Sequence, residues 1–380
     1  MTENSARTLH DDGPVAARGS WLTRRHIDLP LILGLLMTLL LSLFVLYSAS
    51  GQHPEMLWRQ IVRTSLAFSV MIVVAQFSPR FYARASIYLY IGCIALLIMV
   101  ELFGDISKGA QRWLNLGFMR IQPSELLKVV MPLTIAAFLS RDNLPPRTGN
   151  IVIAFILILV PVGLILKQPD LGTAALVGVS GFIAVFLAGL SFWWLAAGAI
   201  AGAAAIPVMW NYVLHDYQKQ RVLTLIDPES DPLGAGYHII QSKIAIGSGG
   251  LYGKGWLQGS QSQLDFLPEP HTDFIFAVLA EETGLIGFLI LLSVYIYLIT
   301  RCTLISFGAR SNFERILSAT YTFTFVFYIF VNIGMVSGIL PVVGVPLPMI
   351  SYGGTSMITL AISFGIIMSV HTHKRNFTFR

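Results

Sequence analysis

The sequence predicts an all-α polytopic membrane protein of about ten transmembrane helices, with both termini in the cytoplasm. Three observations carry this. Only 12% of the residues are charged, while 55% are hydrophobic and the mean hydropathy is +0.70; a soluble domain carries about 25% charged residues. Apolar runs long enough to cross about 30 Å of hydrocarbon recur along the chain. Lys and Arg gather on one side of that alternation, as the positive-inside rule requires. The net charge of +5 is therefore read as topology, and no nucleic-acid partner is expected.

Residues 1–28 read as a polar cytoplasmic tail. The apolar run that follows spans about 20 residues, longer than a signal-peptide core, so a retained first helix is expected despite the faintly signal-peptidase-like Ala49-Ser50-Gly51. The expected spans are 29–48, 61–77, 85–103, 122–140, 151–166, 172–189, 192–213, 273–300, 315–340 and 347–370, making 29–370 one transmembrane domain ahead of a cytoplasmic tail at 371–380. With the N-terminus inside, the inner segments hold fourteen Lys and Arg, among them Arg24, Arg80, Arg141, Arg301, Arg310 and Arg315. The short outer loops and adjoining helix ends hold six: Arg59, Arg63, Lys108, Arg112, Arg120 and Lys167. Trp58, Trp113, Trp193, Trp194 and Trp210 fall near span ends, as an aromatic belt places them. The two cysteines, Cys93 in an apolar run and Cys302 just past one, form neither a disulfide pattern nor a metal motif.

One connection is long. Residues 214–272, between the seventh and eighth helices, form an outer loop with turn chemistry at Asp227-Pro228 and Asp231-Pro232 and an expected short amphipathic helix over 237–246. The glycines at 247–255 permit a phosphate-cradling loop, but no strand precedes them, which argues against a nucleotide P-loop.

In this topology every even-numbered helix begins at the outer face. Three starts carry an acid, namely Gln122-Pro123-Ser124-Glu125, Gln168-Pro169-Asp170 and His271-Thr272-Asp273, and the last opens with Pro346-Leu347-Pro348 and Ser351-Tyr352-Gly353-Gly354. Each acid taken alone reads better as a cap on the helix dipole. Their convergence points instead to a polar cavity, because ionisable groups at membrane depth face one. Glu125 and Lys128 share a helix face and are placed to pair, and of Glu281 and Glu282 one is expected to face the bundle interior. Asp273 opens a long apolar helix at the outer interface. There it can act as a general base toward a hydroxyl, orient that hydroxyl, or hold a divalent cation (Mg or Mn) with His271.

Several of these stretches resemble the SEDS family (shape, elongation, division and sporulation). They are Pro268-Glu269-Pro270-His271-Thr272-Asp273-Phe274-Ile275-Phe276-Ala277, Leu340 through Gly354, Lys108 through Trp113 with Gln122 through Glu125, and Gln168 through Thr173. The loop from Asp227-Pro228 to Gly255-Trp256 is similar too, so the resemblance covers about 28–373. Val342-Val343-Gly344-Val345-Pro346 is similar to the elongation branch rather than the division branch, while Pro270 is a small departure from the family pattern.

The resemblance implies a multi-pass enzyme of the cytoplasmic (inner) membrane. Such an enzyme polymerises lipid II, a disaccharide peptide on undecaprenyl pyrophosphate, beside a class B penicillin-binding protein and other elongation-machinery membrane proteins, among membrane lipids. It implies that Asp273 is essential and that Glu125 and Lys128 line the same cavity. Inverting transfer from a sugar pyrophosphate needs one base and cationic help for the leaving group. Lys128 ranks first for that help, with Arg112, Arg221, Lys243 and Lys254 as further candidates, and Asp170, His271, Ser351 and Tyr352 complete the expected cavity. The rival readings are a lipid II flippase, which also wants a polar cavity among broken helices, and a non-catalytic scaffold for the penicillin-binding protein.

Overall fold

The computed structural model describes residues 26–107, 110–115, 120–213, 216–230, 234–264, 266–267 and 269–373. Most of the tails expected over 1–28 and 371–380 therefore lies outside the described residues, as do Lys108, Asp231, Pro232 and Pro268. The fold is mostly helical. Helices α1 (Leu29–Ala49), α2 (Pro54–Gln76) and α3 (Pro79–Phe103) lead to a small antiparallel sheet of β1 (Asp105–Ser107), β2 (Ala110–Asn115) and β3 (Arg120–Ile121). Next come α4 (Pro123–Leu139), α5 (Thr148–Lys167), α6 (Leu171–Leu187) and α7 (Phe192–Val208). The long loop contributes α8 (Asp216–Ile226), α9 (Ala235–Gly249) and the single turn α10 (Ser260–Gln263), before α11 (Ile275–Phe307), α12 (Asn312–Val336) and α13 (Thr355–Thr372).

Eight of these helices are long and apolar enough to cross a membrane, α7 being continued to Tyr212 by a wider π-helical turn; α4 and α6, at 17 residues each, are the two further expected segments. Helix starts follow the local chemistry. Pro54, Pro79 and Pro123 take first-turn positions, where the missing N–H would find no partner anyway. Asp28 caps α1 by accepting from Leu31 N at 3.0 Å, and Ser311 with Glu314 builds a reciprocal capping box on α12. Two span starts move upstream of their expected positions because their first turns are polar: α2 begins at Pro54 rather than 61, and α3 at Pro79 rather than 85. The last helix moves the other way, since residues 341–354 stay irregular and α13 starts only at Thr355.

Burial orders the bundle. Helix α4 is buried along almost its whole length, against α3, α6, α12 and α13, whereas α7 buries none of its residues. Helices α12 and α13 are also mostly buried, while α1, α2, α3, α5 and α11 bury one stripe: α1 packs on α11 and α2 on α13. Their other faces, such as Leu40, Leu102 and Phe330, are exposed apolar surface suited to lipid.

Helix α11 is broken at Gly284, whose φ of 62° is open to glycine and strained for other residues. Into the break runs the chain after α9. Leu285 N donates to Gly250 O at 3.0 Å and Ile286 N to Leu251 O at 3.3 Å, while Lys254 N and Gly255 N donate to the carbonyls of Glu281 and Glu282 at 3.0 Å each. The approach is so close that a Cβ on Gly253 would fall 2.0 Å from Glu282 O. The amphipathic helix expected over 237–246 exists as part of α9, packed on α11 and α12.

Candidate functional site

A cavity of about 550 Å³ opens among the ends of α4, α6, α9, α11 and α13, on the side where the even-numbered expected spans begin. Its wall is completed by Val342–Pro346 and its floor reaches Lys128. Five predicted site residues line it: Asp273, Glu125, Lys128, Arg112 and Asp170.

Asp273 is not the first residue of its helix, as expected, but lies in the turn ahead of it, with Phe274 as the cap and Ile275 the first helical residue. The turn is held on several sides. Ser351 Oγ donates to Thr272 O at 2.6 Å, Tyr352 N to His271 O at 2.9 Å, and Thr272 N to Glu269 O at 3.1 Å. Asn332 Nδ2 donates to Asp273 O at 2.9 Å and to Val345 O at 2.7 Å, which ties the aspartate turn to the wall loop. The carboxylate itself lies over Gly344, where an added Cβ would come within 3.5 Å of Oδ2.

Opposite, in the first two turns of α4, Lys128 Nζ and Glu125 Oε1 form a buried ion pair at 2.5 Å. Lys128 also lies 5.9 Å from the Tyr328 ring centroid. Glu125 Oε2 is buried with no hydrogen-bond partner among the described residues. Burying that acceptor unpaired costs about 1–3 kcal/mol. The pair is thus incomplete on its own, and it faces a cavity large enough for polar ligand groups.

Asp170 is engaged differently. It caps α6 through Thr173 N at 3.2 Å, accepts from Thr173 Oγ1 and from Gln122 Nε2, and lies 3.7 Å from Arg112 Nε. Arg112 on β2 in turn donates to Pro169 O at 2.6 Å. This group ties the β-sheet to the starts of α4 and α6 and places one guanidinium at the cavity wall.

The other predicted residues lie apart. His271 and Tyr352 meet edge to face with ring centroids 5.9 Å apart, and the Arg63 guanidinium lies over the Tyr352 ring, 4.4 Å from its centroid. Neither ring lines the cavity, and Ser351 is a buried strut beneath the aspartate turn. Lys254 is drawn to Glu281, 2.7 Å away, because the break in α11 brings residues 27 apart together. Lys243 is exposed and packs against Gly338. Arg221 falls on α8, and its side chain lies outside the described residues. Of the paired glutamates, both rather than one are buried, Glu281 against the 254–263 loop and Glu282 against Ser48. Among the described residues no group of three or more His, Cys, Asp or Glu is placed to hold a metal.

Sequence reasoning missed Asn332, His238, Glu269, Thr355 and Ser356, of which all but Asn332 line the cavity. Asn332 alone left a signal: an amide in the middle of an apolar span, between Val331 and Ile333.

Residues 20–376 match the family model described as cell cycle protein, FtsW/RodA/SpoVE. The peptidoglycan glycosyltransferase MrdB of Escherichia coli K12 is 56% identical over 350 residues, covering 92% of this chain and 95% of MrdB. A probable peptidoglycan glycosyltransferase FtsW of Geobacter sulfurreducens is 34% identical over 357 residues, covering 90% of this chain and 95% of its own. Among solved structures, a chain from a peptidoglycan synthase complex that coordinates polymerization and crosslinking superposes with a TM-score of 0.80 at 32% identity, covering 92% of this chain and 99% of that one. The rod shape determining protein RodA of Thermus thermophilus superposes at 0.69 with 28% identity, covering 92% and 98%.

Proposed function

The chain belongs to the FtsW/RodA/SpoVE family of cell cycle proteins and is a peptidoglycan glycosyltransferase of the cell-shape branch; from that premise we propose how its cavity works. The substrate is lipid II, presented from the outer leaflet of the cytoplasmic membrane. An acceptor hydroxyl attacks the anomeric carbon of the donor sugar from the face opposite its pyrophosphate. Asp273 takes the hydroxyl proton as the new glycosidic bond forms and the bond from carbon to pyrophosphate oxygen breaks, so that undecaprenyl pyrophosphate departs with the electron pair. One carboxylate suffices because the anomeric centre inverts once.

The observation that carries this reading is the shared wall. Asp273, from the turn ahead of α11, and the buried Lys128–Glu125 pair, from α4, face one cavity of about 550 Å³. Lys128 supplies positive charge for the departing pyrophosphate, and Arg112 extends that field toward the solvent. Glu125 keeps Lys128 oriented, and its second oxygen is left to accept from the substrate. A class B penicillin-binding protein transpeptidase is the expected partner, since the synthase complex to which this chain is similar joins polymerization to crosslinking.

The test is direct. Purified wild-type protein with its transpeptidase, given labelled lipid II in detergent, should yield glycan strands, and Asp273→Ala none. Strands from Asp273→Ala at the wild-type rate would remove Asp273 from the chemistry.

A further inference from the structure

A second large cavity, about 530 Å³, lies at the opposite end of the bundle, where α6 and α11 finish and α12 begins. Its walls are apolar, with Leu144, Leu187, Phe307, Ile316 and Phe323 prominent among them. A volume of that size falls within the ~300–1,000 Å³ of ordinary ligand sites. Phe307 and Phe323 are also exposed, so the cavity is continuous with the surface that faces lipid. One cation stands on its wall: Arg315, in the first turns of α12. It is exposed and has no ion-pair partner among the described residues. The nearby carboxylate of Glu314 is turned back onto the backbone N–H groups of Arg310 and Ser311, at 3.1 and 3.4 Å.

We propose that this cavity binds an anionic glycerophospholipid of the cytoplasmic leaflet, with acyl chain in the apolar pocket and phosphate on Arg315. The charge pattern assigns this end to the cytoplasm, where anionic lipid is concentrated and basic side chains attract it. The cavity takes a tail rather than a soluble anion because its lining is mostly apolar and polar atoms on it are few. It is separate from the transfer site. Helix α11 begins beside the transfer site and ends at this cavity 33 residues later, on the order of 50 Å of helix at 1.5 Å per residue, with its break at Gly284 between them. The proposal rests on the membrane orientation and not on the role of Asp273.

The experiment is native mass spectrometry of the full-length protein after detergent exchange. Phosphatidylglycerol or phosphatidylcholine with matched acyl chains is added back, and glycan polymerisation is followed as the check on folding. Wild type should retain one phosphatidylglycerol in preference to phosphatidylcholine. Arg315→Gln should weaken phosphatidylglycerol about fivefold and leave phosphatidylcholine unchanged. Ala319→Trp, which fills the cavity from α12, should reduce both lipids. Arg315 is exposed, so its substitution carries the test even if the tryptophan variant fails to fold. Equal retention of the two lipids by wild type, unchanged phosphatidylglycerol retention in Arg315→Gln, or a second protein chain in place of lipid would each overturn the proposal.

Discussion

Two lysine–carboxylate pairs are buried toward the same end of this bundle, and they are built to opposite specifications. Glu281 is saturated. Its carboxylate accepts from Lys254 Nζ, Ser260 Oγ, Gln261 N and Ser262 N, at 2.7, 3.2, 2.9 and 3.3 Å, so both oxygens have internal donors. Glu125 is half used: one oxygen holds Lys128 and the other is buried with no partner among the described residues. The first pair clamps a loop into a broken helix; the second borders a cavity. A buried charge in a membrane protein therefore does not by itself mark a site. The informative quantity is what remains unsatisfied once the protein's own partners are counted.

That contrast can be broken by substitution, and the largest effect should come from the chemistry itself. Asp273→Asn keeps the shape and removes the base, so polymerisation should fall about 10²- to 10⁴-fold with the unfolding temperature unchanged. A rate loss under tenfold would reduce Asp273 to an orienting group. Lys128→Met should cost about 10²- to 10³-fold in rate and also destabilise, since it strands Glu125. Glu281→Ala should do the reverse: stability drops by about 3–5 kcal/mol in thermal unfolding, as Lys254 loses its partner, while protein that remains folded turns over near the wild-type rate. If Glu281→Ala abolished turnover in folded protein, the division between clamp and site would fail.

Asn332→Ala should lie between these, because it frees the aspartate turn from the Val345 loop without touching substrate. A loss of about tenfold in turnover, with substrate affinity little changed, is expected from misplacement of the base. The smallest effect concerns pH. His26 stacks on His373 at 3.9 Å, and burial first, then the charge of His373, lowers its pKa below the usual 6.5. The folded state then binds fewer protons than the unfolded one just below pH 6.5, so stability should decline as the pH falls through that value and level off below the folded pKa. Comparing the unfolding temperatures of wild type and His26→Gln at pH 7.5 and 5.5 isolates the contribution. Identical pH dependence in both would remove it.

Much of this architecture is legible in the sequence because the bilayer leaves few solutions. A run such as Leu29 to Ala49 has to satisfy its backbone internally, so a helix follows directly from composition. The acids at helix starts are legible for a related reason, since a carboxylate at membrane depth needs a polar surrounding. What escapes the sequence is long-range and backbone-borne. The pairing of Lys254 with Glu281 depends on Gly253 lying against the Glu282 carbonyl, and no local pattern announces that approach. The small sheet over 105–121 is set by its pairing, Asp105 with Trp113 and Leu114 with Ile121, in a stretch too short and polar to carry a strand period. The two-residue displacement of Asp273 from its helix comes from the turn beneath it, which Ser351 and Asn332 hold from 79 and 59 residues away.

The bond between the 250–255 stretch and the break at Gly284 also bears on how this protein can be engineered. The outer loop is two materials in series. Its early part, through α8 and the turn Pro228–Ser230, has few buried side chains among the described residues, whereas the 250–255 stretch after α9 is hydrogen-bonded into the break in α11. An epitope or fluorescent tag inserted beside Pro228–Ser230 should be carried without loss. The same insertion between Gly250 and Gly255 would pull out the backbone donors and acceptors that terminate one half of α11 and start the other.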